Sequence, residues 1–143
     1  MTIERLIANR GAGDVLTCAS QTPMRDAVAL LAEKRIGALP VIDGDRVVGI
    51  FSERDVIYCM ARQGPSCLDR PVGEVMTAPA ITVTRSERVD RALALMTKRR
   101  IRHLPVVEND QLISFVSIGD LVKYRFDEVQ AEAEEMRSYI QTA

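Results

Sequence analysis

Two short stretches carry most of the chemistry this chain has to offer: Ser52-Glu53-Arg54-Asp55 and Ser117-Ile118-Gly119-Asp120. In each, a hydroxyl precedes a carboxylate by three residues, where a β-prone run gives way to a helical pattern. A carboxylate one turn into a helix can accept from two vicinal hydroxyls at once. A hydroxyl beside the first free backbone N–H groups favours a phosphate. Such a pair can hold a ribonucleotide. The same Ser-x-x-Asp spacing also makes a helix capping box, in which Ser accepts from the third backbone N–H and the acid accepts from the Ser N–H. One occurrence alone reads as a cap. Recurrence at both junctions sets the ligand reading beside it.

The densest positive run is Lys98-Arg99-Arg100-Ile101-Arg102-His103. Lys98 and Arg99 complement the C-terminal end of a helix dipole, worth about 0.3–1 kcal/mol per favourable charge. Arg102 and His103 stand at a strand start, where a planar guanidinium and a pH-dependent donor can meet phosphate oxygens. Gly37 and Ala38 take their places in the first half, with Arg54 as a compensating cation. With one histidine and no phosphate-loop or dinucleotide glycine motif, no nucleophile–base–orienter set can be assembled. The chain reads as a binder, not an enzyme.

An internal repeat positions these residues. Ile36-Gly37-Ala38-Leu39-Pro40-Val41 lies over Ile101-Arg102-His103-Leu104-Pro105-Val106 at an offset of 65 residues. The same offset carries Thr17 onto Thr82, Ser52 onto Ser117 and Asp55 onto Asp120. About a dozen identities fall in roughly forty positions, so two copies of one supersecondary unit fill the chain. Each copy predicts a first strand (15–18, 80–83), a helix, a hairpin turning at Asp43-Gly44-Asp45 or Glu108-Asn109-Asp110, and a second helix from Glu53 or Ile118. Pro40 and Pro105 lack a ladder donor and belong at a strand start or an edge. The boundaries read as 1–66 for the first unit with an N-terminal helix, 67–126 for the second, and 127–143 for a helical extension. Residues 63–67 read as a linker. In the extension, Phe126, Val129, Ala133, Met136 and Ile140 recur every three or four residues, a face for its own module or for a partner helix.

Composition narrows the function classes. The chain has 143 residues, 47% hydrophobic and 27% charged, enough for a core without disulfide or metal staples. Formal net charge is -1, which disfavours direct binding to nucleic acid or an anionic membrane. Cys18, Cys59 and Cys67, with His103 as their only soft companion, do not make a zinc cage and read as free thiols in a reducing compartment. No apolar run reaches the roughly 18–20 residues of a membrane span, and the N-terminus lacks the shape of a signal peptide. A soluble, cytoplasmic α+β protein is expected.

The two units together resemble a tandem pair of CBS (cystathionine β-synthase) domains, a Bateman module, from about Asp14 to Tyr124. The resemblance rests on the two hexamers, on Gly49-Ile50-Phe51-Ser52-Glu53-Arg54-Asp55, on Val75-Met76-Thr77, and on Ser117-Ile118-Gly119-Asp120. It implies β-α-β-β-α units packed sheet to sheet, a homodimer, and clefts for adenosine compounds: AMP, ADP, ATP, S-adenosylmethionine or NAD(H). Carried over by position, Asp55 and Asp120 would hold ribose, with Ser52 and Ser117 by the ribose or phosphate. Thr17, Thr82 and the backbone around Ile36, Gly37, Ala38, Arg102 and His103 would border adenine or phosphate. Arg54, Arg102 and His103 would meet phosphate. No cofactor is required. Ser114 stands where such units carry glycine and is expected to narrow the second cleft. With no catalytic domain attached, the chain would act as a sensor on a separate regulated protein; a ligand-free assembly module is the alternative.

Overall fold

The computed structural model describes residues 1–8, 10 and 15–142; Asp14, where the resemblance begins, lies outside them. After a short helix α1 (Ile3–Ile7) come β1 (Cys18–Ala19), α2 (Met24–Lys34), β2 (Ala38–Asp43), β3 (Arg46–Ser52) and α3 (Glu53–Gln63). The second half runs α4 (Val72–Val75), α5 (Val89–Arg99), β4 (His103–Glu108), β5 (Gln111–Ser117) and α6 (Ile118–Thr142). Both hairpins form as the repeat predicts. Asn109 and Asp110 take φ of 50° and 62°, and Gly44 takes 60°, the left-handed backbone that lets two-residue turns match the strand twist.

The first strands are shorter than expected, and proline explains it. β1 pairs with β2 in parallel from Cys18↔Val41 onward, and residues 15–17 form no ladder. In the second unit the strand expected over 80–83 reduces to one bridge, Val83↔Val106. There Val83 donates to the Pro105 carbonyl, and Val107 donates back to Val83. One step earlier in this register the donor would be the nitrogen of Pro105, which has no hydrogen. Pro40 and Pro105 therefore sit third in β2 and β4 rather than first, and β2 is the central strand of its sheet. Their missing donors face the side on which the parallel partner has not yet begun.

Each unit closes its own core. Leu39, Val41 and Phe51 anchor the first with Met24 and Leu31 of α2. Leu104, Val106 and Val116 anchor the second with Val89, Ala92 and Met96 of α5. The leading helices complete these cores crosswise. Ile3 of α1 is fully buried in the second core, where its N–H donates to Glu87. Val72 of α4 is buried in the first, donating to Thr22. The pattern repeats at the next residue, Glu4 to Arg85 and Gly73 to Ser20. The segment read as a linker is a 3₁₀ turn (Gly64–Asp69) that buries Cys67 beneath α3, so it belongs to the first core. α6 passes residue 126 without a break. Among the described residues, no helix is long and apolar enough to cross a membrane.

Candidate functional site

Both Ser-Asp pairs form caps. Ser52 N–H donates to Asp55 Oδ2 at 2.9 Å while Asp55 N–H donates to Ser52 Oγ at 3.4 Å. Ser117 and Asp120 repeat the box at 2.9 and 3.1 Å. The local reading of Ser-x-x-Asp thus holds at both junctions, and each carboxylate is oriented by its own helix start. What differs is the group brought to each acid from the other unit's leading segment. Thr77 Oγ1 donates to Asp55 Oδ1 at 2.9 Å. Arg10 Nη2 lies 3.2 Å from Asp120 Oδ2.

β3 and β5 approach each other where the two units pack, and a cavity of about 590 Å³ opens beside this contact. Ser117 and Asp120 line it from the second unit, and Ile36, Gly37 and Ala38 from the first. His103 also faces it, its ring stacked on Phe115 with centroids 5.3 Å apart and planes 15° from parallel. Val15 and Leu16 add apolar wall. This one space therefore gathers Ile36, Gly37, Ala38, His103, Ser117 and Asp120 from the expected site residues.

The others lie elsewhere. Ser52 and Asp55 belong to the opposite junction, and Arg54 and Arg102 are exposed outside the cavity lining. Thr82 is exposed before the Val83 bridge, and Thr17 lines a separate groove along α2. Beside Asp55, a Cβ on Gly49 would stand 2.5 Å from Met76 Sδ and 2.8 Å from the Thr77 carbonyl. That junction is thus covered by the segment after α4, which also bridges Ile50 to Thr77. Ser114, the counterpart of Gly49, is 3% exposed and contributes to the lining of the open cavity. Ser114 thus lines a second cleft that remains open as a cavity, whereas in the first Met76 and Thr77 pack against Gly49.

Charge within the cavity is arranged in two zones. Burial alone would raise the Asp120 pKa, but the Ser117 N–H and the Arg10 guanidinium outweigh it and hold the carboxyl below the ordinary range. Burial is the largest influence on His103 and keeps its imidazole below the ordinary 6.5; Asp120 and Glu53 oppose this and Arg102 adds to it. Arg35 is the second cation on the lining. It caps α2 in the left-handed region at φ 53°, and Arg100 caps α5 likewise at 55°. The sequence reading passed over Arg10 and Arg35. Arg35 had a signal, since Arg35 and Arg100 coincide at the 65-residue offset directly before both hexamers. Arg10 had none, because it precedes the residues that coincide at the 65-residue offset.

The arrangement can accept two vicinal hydroxyls at Asp120, a flat apolar ring among Leu16, Ile36 and Phe115, and an anion toward Arg35 and His103. Among the described residues, no group of three or more His, Cys, Asp or Glu is placed to hold a metal ion.

Comparison with known proteins agrees with this architecture. The CBS domain model matches residues 7–62 and again 72–127. The CBS domain-containing protein CBSX3, mitochondrial, of Arabidopsis thaliana is 36% identical over 98% of this chain and 72% of its own length. Among solved structures, the CBS-domain containing protein ATU1752 of Agrobacterium tumefaciens superposes with a TM-score of 0.82 at 35% identity, covering 87% of this chain and 99% of that one. CBSX2, solved in complex with AMP, superposes at 0.71 with 28% identity, covering 80% and 89%. Two matched halves, each with its hairpin and capped second helix, make this chain a member of the CBS domain family, as a tandem pair.

Proposed function

We propose that the protein binds an adenine nucleotide in the Asp120 cavity and serves as a regulatory module for a separate partner protein. The observation that carries this reading is the convergence of Asp120, Ser117, Arg35 and His103 on one cavity walled by apolar residues of both units. Asp120 takes the ribose hydroxyls, the apolar slot takes adenine, and the cations take phosphate. Binding of AMP by CBSX2 supports the ligand class, with ADP, ATP and NAD(H) as further candidates. A ligand touching both units favours one relative arrangement over another, which is how occupancy is passed to a partner. The reading includes a homodimer, no turnover, and a reducing, cytoplasmic setting supported by three buried free thiols.

Thermal unfolding with AMP, ADP, ATP, NAD and NADH tests it. At 100 times its dissociation constant a ligand adds about 2.7 kcal/mol, a rise of roughly 5–10 °C for a chain of this size. Asp120→Ala should abolish the rise while Asp55→Ala keeps it. A folded, nucleotide-free protein that shifts with none of them would overturn the reading in favour of a constitutive assembly module, which the exposed apolar face of α6 favours.

A further inference from the structure

The C-terminal part of α6 projects an apolar stripe that none of the described residues covers. Phe126 is 66% exposed, Val129 48%, Met136 62% and Ile140 69%, with Ala133 exposed between them. Their spacing alternates three and four residues, the a/d repeat of a coiled coil, with Phe126, Ala133 and Ile140 at a and Val129 and Met136 at d. The helix starts from a fixed base: Leu121 is fully buried, and Ile118 and Tyr124 pack on the second core. The stripe is therefore presented on a helix already nucleated by the folded body, over about 22 Å.

The flanking charges name the occupant. In this register Arg125 and Glu132 fall at g, and Gln130 and Arg137 at e. A parallel second copy sets Glu132 against Arg137 of its mate, twice by symmetry, and Arg125 against Gln130. An antiparallel copy gains no ion pair in either register: with Val129 on Ala133 it sets Glu132 near Glu132 and Lys123 near Arg137, both repulsive, and with Ala133 on Met136 it sets Glu132 near Tyr139 and Gln130 near Arg137. The outer positions carry Asp127, Glu134 and Glu135, with Glu128 paired to Arg125, an acidic back that an anionic bilayer or a nucleic acid would repel. We propose that the Phe126–Ile140 stripe pairs in parallel with the same stripe of a second copy of this chain. This deepens the homodimer reading and is independent of the nucleotide.

Sedimentation of the full chain over a concentration series should show a dimer, and Met136→Asp should raise its dissociation constant at least about tenfold without lowering Tm at the monomer's own transition. Glu132→Arg or Arg137→Glu alone should weaken it about two- to fivefold, and the double exchange should restore it to within about twofold, a rescue that only the parallel pairing allows. Ala133→Cys should crosslink to itself on oxidation, the three native thiols being buried. A dimer indifferent to Met136→Asp, or one in which Ala133→Cys does not crosslink, would overturn the stripe while leaving a homodimer standing. A chain monomeric at every concentration would overturn both.

Discussion

Arg10 and Asp120 join the two ends of the fold: the guanidinium lies 3.2 Å from the carboxylate, and its other terminal nitrogen donates to the Phe115 carbonyl at 3.2 Å. The pair is about one-third exposed on each side, so its worth to stability is small, under about 1 kcal/mol. Its position at the cavity rim gives it more leverage on an anionic ligand. Arg10→Ala should therefore leave Tm nearly unchanged and weaken AMP by about tenfold, as expected for losing a charge-assisted hydrogen bond. Adenosine, lacking the phosphate, should lose less than about twofold. Equal losses for both, read by calorimetry, would assign Arg10 to orienting Asp120 and not to the phosphate.

Capping and ligand binding can be separated at the two acids. Because both sit in closed capping boxes, Asp55→Ala and Asp120→Ala should each lose about 0.5–2 kcal/mol of stability. The caps make some loss of stability unavoidable even where the acid's main role is the ligand. Asp120→Asn keeps an acceptor for the Ser117 N–H and should keep most of the stability, yet lose the ligand. Urea unfolding and a binding isotherm on the same three variants check all of this.

The left-handed arginines offer a comparison within one molecule. A non-glycine residue at such a helix end is strained by about 1 kcal/mol relative to glycine. Arg100→Gly should therefore stabilise by roughly 0.5–1 kcal/mol with no effect on binding. Arg35→Gly should stabilise similarly but weaken phosphorylated ligands, because Arg35 lines the cavity. If Arg35→Gly leaves AMP affinity intact, the anion is not held there.

His103 sets a pH signature. Burial holds its folded pKa below the ordinary 6.5, so the unfolded chain takes up a proton before the native one does. Stability is complete above that ordinary value and falls as pH drops through the window beneath it. Between pH 7.5 and 5.5 the wild type should lose more Tm than His103→Asn. Parallel curves would mean that the imidazole titrates alike in both states.

The hairpins and second helices were legible because their signals are local: a repeated hexamer, turn dipeptides, and hydroxyl-to-acid spacing at each helix start. The length of the first strands was not. It depends on which face of β2 or β4 the Pro40 or Pro105 nitrogen points to, a property of register that no window of sequence contains. What packs over each cleft was not legible for a related reason. Ser114 against Gly49 invites a comparison of side-chain size, which says nothing of Met76 and Thr77 packing against Gly49. α1 and α4 are too short to advertise where they dock, so their crosswise seating could be seen only in three dimensions.

That seating has a consequence for how such a chain can be divided and how it could have arisen. A break near residue 66 would yield two pieces, each holding the plug that the other's core lacks: Ile3 in the first piece for the second core, Val72 in the second for the first. The pieces should be soluble and structured as a mixture, and poorly folded apart. A single unit with its arm, pairing with an identical copy, would make the same contacts about a true twofold axis. The present chain holds within one polypeptide the exchange of arms that such a dimer would make between two.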